Sequence, residues 1–509
     1  GTRPPEKTRA FQNVRFLRPS PQQAQRAQMV FSGRGDEPHA ATVSTGSSWV
    51  FTFGRDCNGE LGRPPVAGAL DATGIPAAGH PAAGGAQDAA SPTPSVVEPE
   101  TDPVKAQLMG DPRCVTQLSN LPNGIVSVGS GFYHSAAVSS AGELYTWGAG
   151  SGGQLGRTRG SSSKSVGVCA APALVPSLQS KQEHVLRVVG GRNHTVAICA
   201  PGRGFTWGRN MHGQLGHPPF PGATRRAEAH VLEPRHLRSL DARGRLADVS
   251  CGEYITAALT QQGEVLTWGR TANGRSGTGR LVAALTEPYA LPRRAFGGVA
   301  VSSLALGWRH CLARTREGLL YSWGSGEVGQ LGLEECRDRN TPQLIEALAR
   351  EKVVLLAAGG AHSLAVTKEG VLFSWGEGSH GQLGLGVCQS SARPQGIASL
   401  LEQSPVVGVA AGGSHSCFIT SSGALLTCGD DTYGQLGWTT PEVPAAAPPP
   451  QRPGGSFDPL GASPPKAASG AGMVSKGGEH RGGLFGDDAG ADVPAPAPSG
   501  FPDTPRDAP

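Results

Sequence analysis

Charge, aromatic side chains and long apolar runs are all scarce in this chain. Charged residues make up 17% of it and aromatics 6%, while 38% is hydrophobic. Low charge with that much apolar material excludes wholesale disorder. No apolar run approaches the ~18 residues that a membrane-spanning helix needs. One of the longest, Val353–Ala358, is only strand-length. No membrane partner is expected. The first residues lack the apolar centre of a secretory signal, although the chain starts at Gly1 rather than Met, which fits a processed or trimmed start. Ten cysteines are scattered with no C-x-x-C pair, which suits a reducing compartment better than a disulfide scaffold. An intracellular protein is expected, cytoplasmic or nuclear, with an organelle left open. The formal charge of +4 on 509 residues does not call for nucleic acid as a direct ligand. No His-Glu-x-x-His, paired Cys or calcium loop is present, so neither a metal nor a cofactor is expected. No catalytic constellation is present either, and the chain reads as a non-enzyme.

Turn-formers are abundant instead, with 75 Gly and 42 Pro. These are the two poorest helix formers, so a helical bundle is excluded and many short strands joined by tight turns are expected. A recurring string organises them. Trp147-Gly148 is followed by Gly153-Gln-Leu-Gly156, Trp207-Gly208 by Gly213-Gln-Leu-Gly216, and Trp268-Gly269 by Gly274-Arg-Ser-Gly277. Trp323-Gly324 leads to Gly329-Gln-Leu-Gly332, and Trp375-Gly376 to Gly381-Gln-Leu-Gly384. Two copies lack the Trp: Phe53-Gly54 leads to Gly59-Glu-Leu-Gly62, and Cys428-Gly429 to Gly434-Gln-Leu-Gly437. The anchors at 53, 147, 207, 268, 323, 375 and 428 are 52 to 61 residues apart, except for a first step of 94. Removing the Ala/Gly/Pro-rich segment 63–95 restores a step of 61. That segment cannot bury enough apolar surface to offset its ordering entropy, so it reads as a disordered insertion. Residues 441–509 read as a disordered Pro/Gly-rich tail.

Upstream of each anchor lies a short apolar strand, a Gly-rich corner and usually a His: His134, His194, His310, His362 and His415, with Ile255 in the fourth unit and His39 in the first. In unit six, Val353–Ala357 and Ser363–Val366 read as strands. The turn Lys368-Glu-Gly370 then leads into a third strand, and a weaker fourth follows each unit. Four antiparallel strands per unit of ~50 residues make a propeller blade. The expected fold is all-β: a seven-bladed β-propeller closed by N- and C-terminal segments sharing one blade. The closing strand is expected from Asn13–Leu17 or Met29–Gly33, completing a last blade begun by residues 407–437. The expected organisation is 1–62 first part of the propeller, 63–95 insertion, 96–440 remainder and 441–509 tail.

The corner His followed by Trp-Gly and Gly-Gln-Leu-Gly resembles the regulator-of-chromosome-condensation repeat, over residues 12–62 and 96–437. The resemblance implies a seven-bladed propeller with a split closing blade. It also implies three uses: a guanine nucleotide exchange factor for the GTPase Ran that docks on chromatin, a plant UV-B photoreceptor, and partner-binding modules. The photoreceptor carries Gly-Trp-Arg-His in several neighbouring blades. Here Gly307-Trp308-Arg309-His310 occurs once, and one Trp cannot form an excitonic cluster. The exchange factor engages its GTPase through acidic loop residues. Here only Asp36, Glu37 and Glu253 are acidic among the corners, which weakens that reading.

The repeated His and Trp read as framework, since each recurs once per blade. The corner residues Arg192, Asn193, Glu253, Tyr254, Trp308 and Arg309, from units three to five, are expected to share one face and to form a protein interface. The expected function is a non-catalytic interaction scaffold. The expected partner is a protein, with a small GTPase or a larger assembly both open. Nucleotide exchange on a Ran-like GTPase is the alternative. A second alternative is chromatin or ribonucleoprotein docking through the basic N-terminus or through Arg225, Arg226, Arg235, Arg238, Arg243 and Arg245.

Overall fold

The computed structural model describes residues 116–437 apart from 119, 159–164, 219–229 and 398–403, together with the backbone of strand segments 13–14, 28–34, 37–44 and 49–54. Segment 63–95, the tail 441–509, and Arg225 and Arg226 lie outside the described residues.

The fold is an all-β propeller. Six four-stranded antiparallel meanders each come from one continuous stretch: 28–117, 125–174, 185–236, 246–290, 301–344 and 353–396. The last recurrence of the repeat supplies three strands, Val406–Ala411, His415–Thr420 and Leu425–Gly429. The fourth member of that sheet is the two-residue strand Asn13–Val14, paired as Asn13↔Leu426 and Val14↔Leu425. The expectation of Met29–Gly33 as one candidate for that strand is corrected. Gln28–Arg34 pairs along its whole length with Glu37–Ser44 and begins the first blade. A short hairpin partner next in sequence outcompetes one about 400 residues away, because closing the short loop costs less entropy.

The second strand is buried along its whole length in most blades, as in His194–Cys199, Ile255–Thr260 and His362–Thr367. Both of its faces pack between neighbouring blades, which explains the uninterrupted apolar and small residues there. In blade six the first three strands are Val353–Ala358, His362–Thr367 and Leu372–Gly376. The turn before the last of these holds Gly370 at φ +84°, where its N–H donates to the Thr367 carbonyl at 2.9 Å. Only glycine takes that conformation without strain.

One joint recurs between blades and accounts for the repeat. The five Trp of the Trp-Gly strings are fully buried. Indole Nε1 of Trp207 donates to the Gln154 carbonyl of the preceding blade at 2.9 Å, and the same bond runs from Trp268 to Gln214, Trp323 to Arg275 and Trp375 to Gln330. The last glycine of the string in the preceding blade, Gly156, Gly216, Gly277 or Gly332, lies under that indole: a Cβ on Gly332 would sit 2.8 Å from Trp375 Nε1. The same carbonyl accepts a hydroxyl of the second strand, such as Thr195 on Gln154 or Ser363 on Gln330, both at 2.8 Å. That hydroxyl in turn meets the corner His of the blade before, His134 on Thr195 at 2.8 Å and His310 on Ser363 at 2.9 Å.

Candidate functional site

The Gly-rich corners lie around one mouth of the shaft and are stitched to one another through the backbone. Phe132 N donates to Gly191 O at 3.1 Å, Arg192 N to Glu253 O at 3.3 Å, Glu253 N to Trp308 O at 3.1 Å and Trp308 N to Gly359 O at 3.3 Å. The corners of blades three, four and five are therefore adjacent, and four of the six expected interface residues meet around one carboxylate.

Glu253 is buried. Its Oε1 accepts from Arg192 Nη1 at 2.7 Å, and the same nitrogen donates to the Tyr254 hydroxyl at 2.6 Å. Glu253 Oε2 faces Arg309 Nε at 3.4 Å and Arg275 Nη1 at 3.9 Å. Arg309 is 53% exposed and Arg275 only 1%. Arg192 also lies 5.4 Å from the Tyr254 ring centre, Arg270 lies 5.9 Å from it, and His212 packs edge-on to the same ring at 4.7 Å. Burial pulls the Arg275 guanidinium down to about 10; Glu253 opposes this, and Arg270 and Arg309 reinforce it. Burial, then Arg270 and Arg275, hold His212 below the usual histidine range.

The two remaining expected residues behave differently. Asn193 is engaged through its backbone carbonyl, which accepts from Arg209 N at 2.8 Å. Trp308 is half-buried rather than presented outward. Its ring lies 5.4 Å from Phe132 across the mouth and over Gly360, whose Cβ would come 3.2 Å from it.

Residues not singled out from sequence complete the cluster: Arg270, Arg275 and His212. The strongest signal was Gly274-Arg-Ser-Gly277, the one copy with Arg where Gln or Glu otherwise stands. In other blades that Gln folds back through Oε1 onto a backbone N–H two residues earlier, as in Gln214 to His212 N and Gln330 to Val328 N. Arginine has no acceptor to offer. Arg275 instead donates from Nε to the Ala272 carbonyl at 2.9 Å.

The recurring histidines are framework. Ser363 gives its only proton to Gln330 O, so its oxygen accepts from His310 Nε2–H, which leaves Nδ1 without a partner. Burial drives His194 and His310 down to about 3 and His362 to about 4, so all three are neutral. Where blade four has Ile255 for His, blade five has Cys311 for the hydroxyl residue, and its thiol donates to Arg275 O at 3.4 Å. Donor and acceptor were lost together.

Among the described residues of the basic linker, His236 Nε2 pairs with Asp241 at 3.0 Å and Arg243 with Glu264 at 3.8 Å. No helix among the described residues is long and apolar enough to cross a membrane.

Known proteins share this architecture. The ultraviolet-B receptor UVR8 of Arabidopsis thaliana is 30% identical over 332 residues, 65% of this chain and 70% of the receptor. The human E3 ubiquitin-protein ligase HERC2 is 34% identical over 321 residues, which is 63% of this chain but 6% of the ligase. The crystal structure of human WBSCR16 superposes with a TM-score of 0.55 at 25% identity, covering 64% of this chain and 81% of that one. Residues 18–402 match the model of the RCC1-like domain and residues 406–435 that of the regulator of chromosome condensation (RCC1) repeat, and the chain therefore belongs to the RCC1-like domain family.

Proposed function

We propose that this chain is a non-catalytic protein-interaction module, and that the corner face of blades three to five is where its partner docks. The carrying observation is the cluster of Arg192, Glu253, Tyr254 and Arg309, which the repeat does not need for its own packing. The recurring His, Trp and Gln are consumed by the blade joints, so they leave no spare nucleophile or base. We take the ring to be seven-bladed, closed by Asn13–Val14 on the C-terminal strands, with the propeller spanning 1–62 and 96–440 and an intracellular site of action.

The family itself does not choose an activity. Its members here include a light receptor and a ubiquitin ligase, and this chain covers only a small part of the ligase. Trp308 stands alone and is taken up by Phe132, which leaves no tryptophan cluster on this face among the described residues.

Two assays test the reading. Affinity capture with the full chain and with Arg309→Glu should recover a protein partner only with the former, at equal melting temperature. Equal recovery by both would move the interface elsewhere. A fluorescent-nucleotide release assay over a panel of small GTPases should show no acceleration. Release driven by sub-stoichiometric amounts of the chain would replace this reading with nucleotide exchange.

A further inference from the structure

We propose that the arginine cluster around Glu253 is a carboxylate-binding site, which docks a partner segment carrying closely spaced Asp or Glu residues. The inference rests on the protein-interaction reading and names the chemistry of the partner.

The chain's own repeats supply the comparison. Gln154, Gln214, Gln330, Gln382 and Gln435 occupy the position of Arg275, and each folds back to cap a backbone N–H of its own loop. Arg275 gives up that cap and brings a charge into a site 1% exposed. Its Nη1 has no hydrogen-bond partner and lies 3.9 Å from Glu253. A buried cation with an unused donor is a cost to the fold. The same blade departs at its corner too, with Glu253 in the loop and Ile255 for His. Departures that weaken the framework and converge on one spot mark a place where something other than stability is being served.

The charge there is unbalanced. Three guanidiniums, Arg192, Arg275 and Arg309, face the Glu253 carboxylate, and a fourth, Arg270, lies over the adjoining Tyr254 ring. Arg192 is committed to Glu253 and Tyr254. The Arg309 guanidinium touches Glu253 only through Nε, and among the described residues neither its Nη atoms nor the Arg270 guanidinium has a hydrogen-bond partner. Arg309 is 53% exposed, so its free fork faces solvent, on a group whose planar geometry matches a carboxylate. Glu253 already shows how a carboxylate sits among three of these side chains, and it holds them in place for a second one. A nucleic acid fits less well. The Tyr254 ring is met edge-on by His212 and Trp308 packs at a tilt against Phe132, so both rings are already engaged where a base would stack.

The test is selection of random linear peptides, displayed on phage, against the full chain. Enriched peptides should carry paired Asp or Glu residues. Arg270→Ala with Arg309→Ala should weaken the selected peptide by at least about tenfold, the loss of one or two charge-assisted bonds, without shifting the melting temperature. Arg309→Glu should abolish acidic enrichment. Non-acidic peptides that are nonetheless lost in Arg309→Glu would overturn the carboxylate assignment and leave the docking face standing. Acidic peptides bound equally by the double variant would overturn both. No enrichment at all, or binding only of a phosphoserine version or a single-stranded oligonucleotide, would also overturn the carboxylate assignment.

Discussion

Blade four contains a natural experiment that can be transplanted. In blade five, His310 donates from Nε2 to Ser363 Oγ at 2.9 Å, and Ser363 donates to Gln330 O at 2.8 Å. One blade earlier the same two positions are Ile255 and Cys311, and the thiol donates to the equivalent carbonyl of Arg275. The side chains fill the same slot: a Cβ on Gly252 would lie 2.8 Å from Ile255 Cγ2, and one on Gly307 would lie 2.3 Å from His310 Cε1. The perturbation is therefore His310→Ile, Ser363→Cys and the pair. His310→Ile removes one bond worth about 1 kcal/mol and leaves the Ser363 proton still placed on Gln330. Ser363→Cys alone strands the His310 N–H in a fully buried site, at about 1–3 kcal/mol. The double variant strands nothing, and its remaining cost is the weaker thiol donor. It should be less destabilised than the sum of the single variants by about 1–2 kcal/mol, measured by urea denaturation with a common slope. Single effects that add within about 0.5 kcal/mol would refute the claim that the two residues form one unit.

Gly332→Ala should destabilise by about 3 kcal/mol, because φ is +70° and the new methyl meets Trp375 at 2.8 Å. Gly298→Ala, at φ +82° with nothing within 4 Å, should cost about 1 kcal/mol. Equal losses in denaturant would remove the packing argument. The buried histidines predict acid sensitivity: His194, His217 and His310 stand at about 3 and His362 at about 4 in the fold, against 6.5 when free. The unfolded chain binds the extra protons, so stability is complete above pH 6.5 and falls as pH drops through 6 and 5 toward 3. The slope is up to about 1.4 kcal/mol per pH unit for each ring, and a flat profile of urea midpoints from pH 7 to 4.5 would contradict the neutral assignment. Deleting residues 1–20 removes the Asn13–Val14 strand and exposes an edge of Leu425–Gly429; the melting temperature should fall by several degrees, and an unchanged one would refute closure.

The propeller was legible because its joints need particular residues at fixed intervals. Trp needs a carbonyl and a glycine from the blade before it, and both appear in the repeated string. The strand supplied from residues 13–14 was harder to place, since Asn13–Leu17 and Met29–Gly33 are equally strand-like by composition. Chain connectivity removed Met29–Gly33, which pairs with its hairpin neighbour. At the site, Arg192, Glu253, Tyr254 and Arg309 were legible because equivalent corners must fall at one end of the ring. Arg270 and Arg275 were not, because they end and follow the third strand, which returns to that same end only in three dimensions. Trp308 packs against Phe132 from across the mouth, a contact that sequence spacing does not encode.

The carbonyl at Gln154, Gln214, Arg275 and Gln330 takes a proton from an indole and from a hydroxyl or thiol, all supplied by the next blade. The unit that must stay intact through mutation is thus the seam and not the repeat. A whole blade imported from a relative would change two seams at once, and it would succeed only where both edges speak the neighbours' dialect. Paired exchanges that straddle a seam, as Ile255 and Cys311 do, are free to accumulate one seam at a time. Such drift lets a ring of near-identical parts acquire one sector unlike the rest while every blade keeps its shape.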